Sequence, residues 1–295
     1  MAPTFLAIVL ALVAAHAAPD LARWRDFGWL QAATQRWMGP AHERSSSYRL
    51  AALVLLLVVA CALLQMALAR VLFGLPGFVF AVLVLYYCWG PRDLDADVDG
   101  VLKAPDGERR LAAAQALRPD PALQTLPLES AALVEATFAS ALSRWFGVLF
   151  WFVVLGPAGA LGYRLVQLLA RHAALRPLMG DAQNEVLERT ARLLDWAPAH
   201  LVALTLALVS DFDAVIGTWR DYHAAPGRGV FTLDLGFLAV LARAGVNADV
   251  EAGDGYAQDV ADPLAELADA RRVLRRVLVA WLAVLALAAV LIVTH

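Results

Sequence analysis

Three aspartates at alternate positions form the pattern with the most specific chemistry in this chain. Asp95-x-Asp97-x-Asp99-Gly100 has the spacing of the first ligands of an EF-hand calcium loop and the glycine of its sharp turn. The rest of the loop does not follow, because Asp106 stands where a bidentate glutamate is expected. We therefore expect an acidic, solvated helix start, in which carboxylates lie at the positive end of the helix dipole.

Other polar residues lack the spacing that metal or phosphate chemistry requires. His172, His200 and His223 have neither zinc-ligand spacing nor a cysteine partner. Gly227-Arg228-Gly229 is not followed by the Gly-Lys-Ser/Thr sequence of a phosphate-binding loop. The sequence therefore predicts no metal site and no cofactor.

The composition indicates a membrane protein. Of 295 residues, 61% are hydrophobic and 17% are charged, whereas soluble domains contain about 25% charged residues. Because a bilayer core of about 30 Å requires about 20 apolar helical residues, windows 50–73 and 277–294 are predicted spans. The net charge of −3 provides no positive field for nucleic acid. The expected partner is the lipid bilayer, and no nucleic-acid partner is expected.

Four further apolar windows complete a predicted set of six membrane segments. Window 77–89 follows a Gly-Leu-Pro-Gly turn and should form a helical hairpin with the first span. Window 146–169 is interrupted by glycines and Pro157, so a kinked span and a re-entrant hairpin both remain open. Windows 4–18 and 198–216 are the remaining candidates. The predicted fold class is an all-α, polytopic helical inner-membrane protein, with cytoplasmic helices packed on the membrane base.

The positions of arginines predict the orientation. Four arginines lie before the last span, at 271, 272, 275 and 276, and the positive-inside rule places them in the cytoplasm. Segments 19–49, 91–144 and 217–276 are then cytoplasmic parts of a single domain, 1–295. This arrangement requires that windows 146–169 and 198–216 both cross or that neither does, and the sequence favours both crossing.

Several local sequences, taken in order, resemble the CobD/CbiB membrane family. The resemblance covers roughly residues 50–290 and is closest to the AmpE branch, a membrane protein implicated in regulating inducible β-lactamase. The residues that carry it are Val134-Glu135, Phe150-Trp151, Gly156-Pro157-Ala158-Gly159-Ala160, Tyr163-Arg164, Asp195-Trp196-Ala197-Pro198-Ala199-His200-Leu201 and 262–276.

The chain departs from the family's enzymes at positions where they carry polar residues. It has Glu135-Ala136 in place of a Glu-Asn pair, and Ala191-Arg192 in place of two aspartates. The loop Ala225-Pro226-Gly227-Arg228-Gly229 replaces Ser-Pro-Asn-Ala-Gly. Magnesium and phosphate chemistry requires hard oxygen ligands and hydrogen-bond donors. These replacements therefore favour a chain that keeps the backbone turn of the loop but lacks the groups for that chemistry.

The resemblance implies a non-enzymatic regulatory or sensory accessory protein of the bacterial inner membrane, acting in the cell-wall and β-lactamase response. Its expected partners are an anionic cell-wall-derived ligand and a signalling protein. Two alternatives stay open: a cobinamide-phosphate synthase and a membrane transport component. The residues at the family's substrate-binding positions, expected to bind such a ligand, are Arg92, Glu135, Asp195, His223 and Arg228.

Overall fold

The fold is seen in a computed structural model that describes residues 2–17, 25–38, 45–90, 93–118, 125–257 and 262–294. These residues form helices and connecting turns, and no strand occurs among them. The protein is an all-α, polytopic helical membrane protein, as the sequence predicts. Its helices long and apolar enough to cross a bilayer are Tyr48–Ala69, Ser130–Arg171, Asp181–Val209 and Pro263–Leu291, with shorter apolar helices at Ala2–Ala15 and Leu72–Cys88.

The chain divides into two compact units, of residues 1–92, 147–191 and 285–295, and of residues 93–146 and 192–284. The single domain expected from the sequence stays a prediction. In chain order, the α-helices of the described residues are α1 (Ala2–Ala17), α2 (Gly28–Met38), α3 (Ser45–Ala69), α4 (Leu75–Cys88), α5 (Leu94–Leu102), α6 (Gly107–Ala114), α7 (Ser130–Ala141), α8 (Gly147–Arg171), α9 (Asp181–Val209), α10 (Phe212–Ala224), α11 (Gly236–Glu251) and α12 (Pro263–Thr294).

In the first unit, α3 and α4 form the predicted helical hairpin. The chain reverses through Leu72 and Phe73, which both have positive φ, and Gly74, whose φ is 81°. Proline lies in the first turn of α4, where its missing N–H costs no helical hydrogen bond. A Cβ atom on Gly77 would lie 3.0 Å from the Ala69 backbone, so glycine permits the close approach of the two helices.

Helix α8, also in the first unit, folds back on itself at Gly156. This residue has φ 67° and ψ −156°, which interrupts the helix, and Pro157 begins the second arm. A Cβ atom on Gly159 would overlap the Trp151 carbonyl oxygen, although residues eight apart in an unbroken helix are separated by about 12 Å. Gly147 similarly packs against the Tyr163 ring. Of the two forms left open by the sequence, the structure has the hairpin.

The charged residue within this hairpin has a structural partner. Arg164 is buried, with 4% of its surface exposed, and its Nε donates to the Cys88 carbonyl oxygen at 2.7 Å. The last carbonyl groups of a helix lack intrahelical donors and carry the negative end of its dipole. Arg164 therefore stabilises the carboxyl end of α4.

In the second unit, the alternating aspartates lie on α5 and bind arginines. Asp93 caps the helix by accepting a hydrogen bond from the Asp95 amide. The structure therefore has the acidic helix start that the sequence favours over a calcium loop, but the start is not solvated as expected, because Asp97 is buried. The ion pairs are Asp95–Arg275 at 3.0 Å, Asp97–Arg144 at 2.6 Å and Asp99–Arg271 at 2.5 Å.

The predicted segment 198–216 is divided between two helices. Helix α9 ends at Val209, and Asp211 begins α10 by accepting a hydrogen bond from the Ala214 amide at 2.7 Å. The carboxylate thus caps the second helix at the point where the apolar run ends. The helix in this region that is long and apolar enough to cross a bilayer is therefore Asp181–Val209, not a segment that continues to residue 216.

Candidate functional site

Aromatic and histidine rings from α9, α10 and α11 gather in the second unit. The rings of His200 and His223 are stacked, with centroids 6.2 Å apart and an angle of 16° between their planes. Both contact Phe237, at centroid distances of 4.6 and 5.3 Å. We call this group the histidine–aromatic cluster; its members are Trp196, His200, Trp219, Tyr222, His223, Phe231 and Phe237.

The hydrogen bonds of the two histidines determine their neutral tautomers. Nδ1 of His200 lies 2.8 Å from the Trp196 carbonyl oxygen, and Nδ1 of His223 lies 2.6 Å from that of Arg228. Because a carbonyl oxygen only accepts, each Nδ1 carries the hydrogen and each neutral Nε2 is an acceptor. Both Nε2 atoms are buried and, in the described part of the chain, have no hydrogen-bond partner. Buried polar atoms are usually paired, so these two indicate a place where a ligand with N–H or O–H groups could bind.

Tyr222 is held rigidly beside the histidines. Its hydroxyl donates to Asp234 Oδ2 at 2.6 Å, and the Gly236 amide donates to Oδ1 at 3.0 Å. Burial, together with the bond to Asp234, raises the pKa of Tyr222 to about 12. The Tyr222 hydroxyl and the Gly236 amide hold the pKa of Asp234 below its ordinary value. The pair therefore consists of a neutral phenol and a carboxylate around neutral pH.

The loop between α10 and α11 places a cation at the edge of the cluster. Gly227 has φ 79°, and the Arg228 amide closes a turn onto the Ala225 carbonyl oxygen at 3.1 Å. The guanidinium of Arg228 lies 4.6 Å from the Tyr222 ring centroid, where a cation–π interaction holds it. Arg228 itself is exposed. Its free donors therefore face any anion that approaches the cluster.

The space around the cluster limits the size of a ligand that could be fully enclosed. A cavity of about 60 Å³ lies beside His200, lined mostly by apolar side chains of α9, α10 and α11. This volume suits one or two water molecules. Phe231, however, is 89% exposed and stacks at 6.2 Å on Trp196. A larger ligand would therefore lie on the exposed face, against Phe231 and Arg228.

Two of the five predicted site residues come together. His223 and Arg228 share a hydrogen bond and both contact Tyr222. Asp195 is fully buried on α9, one residue before a member of the cluster. Glu135 on α7 forms an ion pair instead, with its Oε1 3.0 Å from Arg243 Nε. Arg92 lies outside the described residues. A single site for all five stays a prediction.

The sequence reasoning missed His200, Tyr222 and Asp234 as parts of this site. His200 was set aside for lack of metal-ligand spacing, although its free Nε2 can accept a hydrogen bond without any metal. A usable signal was present, since aromatic residues and histidine recur at 219, 222, 223, 231 and 237. Only the fold brings that segment against α9.

The geometry does not favour the magnesium chemistry of a synthase. Among the described residues, no three His, Cys, Asp or Glu side chains converge as a group that could hold a metal ion. Ala191 and Arg192, on α9 where the family's enzymes have two aspartates, provide no oxygen ligand for magnesium. These positions therefore do not fit the ion.

Comparison with known proteins identifies the family. A family model described as "Regulatory signalling modulator protein AmpE" matches residues 35–292. The chain belongs to the AmpE family. It is also similar to the Cobalamin biosynthesis protein CobD of Chromobacterium violaceum, with 30% identity over 245 residues, covering 72% of this chain and 75% of that protein.

A second CobD protein, from Stutzerimonas stutzeri, is 30% identical over 154 residues, which cover 49% of each chain. No solved structure matches the chain. AmpE-family membership thus comes with sequence similarity to proteins named for cobalamin biosynthesis, and the chemistry of the site has to distinguish the two.

Proposed function

We propose that this AmpE-family chain is a non-enzymatic regulatory or sensory protein of the bacterial inner membrane. In this proposal it binds an anionic cell-wall-derived ligand at the histidine–aromatic cluster and transmits its presence to a signalling protein. The observation that carries the proposal is the pair of buried Nε2 atoms without partners, beside the exposed cation of Arg228.

The chemistry of the cluster matches a sugar-peptide. The Arg228 guanidinium would bind a carboxylate with two parallel bonds. Hydroxyl or amide groups that reach from the exposed face into the cluster would donate hydrogen bonds to the two buried imidazole acceptors. The exposed Phe231 ring offers an apolar face against which a sugar ring could lie. A ligand with both donors and a negative charge would thus use all three features.

The first experiment measures binding to the purified full chain. N-acetylmuramyl-L-alanyl-D-isoglutamine, the probe, is titrated against the protein in detergent and followed by microscale thermophoresis. A charge-assisted hydrogen bond contributes about 1.5–3 kcal/mol, so Arg228→Gln should weaken binding roughly tenfold or more. Arg189→Gln is the matched control, because Arg189 is exposed and paired only with nearby Glu185. Equal affinity of both variants and the wild type would contradict the proposed site.

A second experiment tests the regulatory role in a host with inducible β-lactamase whose own AmpE-type gene is deleted. We expect the wild-type chain and Arg189→Gln to alter β-lactamase induction by cefoxitin equally, and His223→Phe to lose most of that effect. Phenylalanine preserves the ring packing of His223 while removing both Nε2 and the Nδ1 hydrogen bond to the Arg228 carbonyl oxygen. If the wild-type chain leaves induction unchanged, the regulatory role is wrong.

The similarity to CobD proteins favours one alternative, a cobinamide-phosphate synthase. The replaced aspartates and the Ala225–Gly229 loop argue against it. Expression in a strain lacking that synthase decides between the two, and we expect no restored growth on cobyric acid. Restored cobalamin synthesis would make the chain an enzyme.

A further inference from the structure

An apolar groove of about 690 Å³ runs along the membrane helices of the first unit. It is lined by side chains of α1, α3, α4 and α8, including Cys61, Phe80, Leu83 and Leu161. Nearly all of its lining is hydrocarbon, and two tyrosines, Tyr86 and Tyr87, form part of its wall. The groove is therefore suited to an alkyl chain along most of its length.

The two tyrosines differ in their hydrogen bonds. Tyr87 donates to the Asp26 carbonyl oxygen and accepts from Trp29 Nε1, both at 2.7 Å. The Tyr86 hydroxyl is buried and has no partner. The Tyr86 hydroxyl is thus available as a hydrogen-bond donor in the wall of the groove. It lies next to Tyr87, whose hydroxyl already donates one hydrogen bond and accepts another.

A buried cation lies on the Tyr86 ring. The Arg25 guanidinium carbon is 4.1 Å from the ring centroid, and only 1% of the residue is exposed. Its Nε and Nη2 atoms are buried and have no hydrogen-bond partner among the residues that the structure describes. These two nitrogens form the side of the guanidinium that makes parallel bonds to a carboxylate or phosphate.

The electrostatics of this arrangement require an anion. A buried charge without a partner costs several kcal/mol, and a cation–π contact returns only about 0.5–2 kcal/mol. The adjacent carboxylate of Asp26 is exposed and accepts a hydrogen bond from the Gly28 amide. No carboxylate of the described residues accepts a hydrogen bond from Nε or Nη2 of Arg25.

We propose that this groove binds an anionic phospholipid of the surrounding membrane, with an acyl chain between α1, α3, α4 and α8 and the phosphate at Arg25 and Tyr86. The Arg25 edge donates two parallel hydrogen bonds to the phosphate, and the Tyr86 hydroxyl donates a third. This site belongs to the first unit and does not depend on the ligand proposed for the histidine–aromatic cluster.

Native mass spectrometry of the full chain in detergent tests the site. The probes are dioleoyl phosphatidylglycerol and dioleoylglycerol, which share their acyl chains and differ in the phosphate head group. We expect the wild type to retain phosphatidylglycerol at least fivefold better, and Arg25→Gln to retain both probes equally. Arg70→Gln, which removes an exposed arginine at the end of α3, should behave like the wild type. An equal loss of preference in both variants would indicate bulk charge attraction and overturn the proposal.

Two further measurements keep the proposal testable if Arg25→Gln folds poorly. Phosphatidylglycerol, but not dioleoylglycerol, should raise the melting temperature of the unaltered wild-type protein. Arg25→Met should be at least as stable as the wild type without added lipid, because it removes an unpaired buried charge. A wild type that responds equally to both probes overturns the proposal. Displacement of phosphatidylglycerol by an equimolar amount of geranylgeranyl phosphate would also overturn it, by assigning the groove to a prenyl phosphate.

Discussion

Removing one partner of the ion pair between Asp97 and Arg144 should destabilise the second unit more than removing one partner of the other pairs on α5. The side chains of Asp97 and Arg144 are 3% and 12% exposed, and Arg144 also donates to the Ala116 carbonyl oxygen at 2.7 Å. Asp97→Asn leaves the arginine buried without its carboxylate. Breaking a buried pair in this way costs about 3–5 kcal/mol, which lowers the melting temperature by roughly 6–20 °C at about 2–4 °C per kcal/mol.

Asp99→Asn is the matched control, because Asp99 lies on the same helix and is 38% exposed in its pairs with Lys103 and Arg271. Exposed pairs contribute about 0–1 kcal/mol each, so the loss of both should lower its melting temperature by no more than roughly 8 °C. Thermal unfolding of the purified chain, followed by the fluorescence of its tryptophans, which include Trp145, Trp196, Trp219 and Trp281 of the second unit, measures both. The double variant Asp97→Asn/Arg144→Met should recover much of the loss. Equal shifts for the two single variants would refute the role of burial.

Reporter fusions after Asp106, Gly180 and Gly253 should all give the cytoplasmic signal. The reason is that α8 folds back at its midpoint and so returns to the side of the membrane from which it entered. An external signal at Gly180 alone would mean that α8 crosses. This expectation replaces the sequence-based preference for two full crossings with the alternative in which neither segment crosses. Gly159→Ala should lower stability by about 1–3 kcal/mol, since its Cβ meets the Trp151 backbone. In the control Gly217→Ala, the added Cβ atom meets open space in α10, so the free energy of unfolding should stay the same or rise by up to about 1 kcal/mol. Equal effects of the two substitutions in thermal unfolding would contradict the packing argument.

Much of the helical architecture was predictable from local sequence. The apolar runs 50–73 and 277–294 predict membrane segments by their length and hydrophobicity. The Gly-Leu-Pro-Gly sequence predicts the reversal between α3 and α4, but the chain turns through Leu72, Phe73 and Gly74, and the residues from Leu75 onward already belong to α4. The Asp95–Gly100 pattern was likewise correctly predicted as a helix start, because its departure from calcium-loop spacing is visible in the sequence itself.

The candidate site was only partly predictable. His223 and Arg228 were identified through their position in a family motif, and the turn at Gly227 follows from its glycine. Their relation to His200 was not accessible, because the contact joins helices α9 and α10 and depends on which faces of these helices meet. Asp195 precedes Trp196 of the cluster in the chain, and its complete burial reflects packing that the sequence does not show.

Local sequence thus determined where this protein is helical, where it is apolar and where its chain turns, since each depends on side-chain hydrophobicity and on the φ preferences of glycine and proline. Tertiary structure alone decided the remaining features. The sequence around Gly156 is compatible with a kink or with a hairpin. The packing of Gly147 against Tyr163 distinguishes them, because it requires the hairpin. Arg164 donates a hydrogen bond to a carbonyl oxygen of α4, whereas Nε and Nη2 of Arg25 have no hydrogen-bond partner among the described residues. Hydrogen-bond partners and buried charges depend on residues distant in the chain, which only packing brings together.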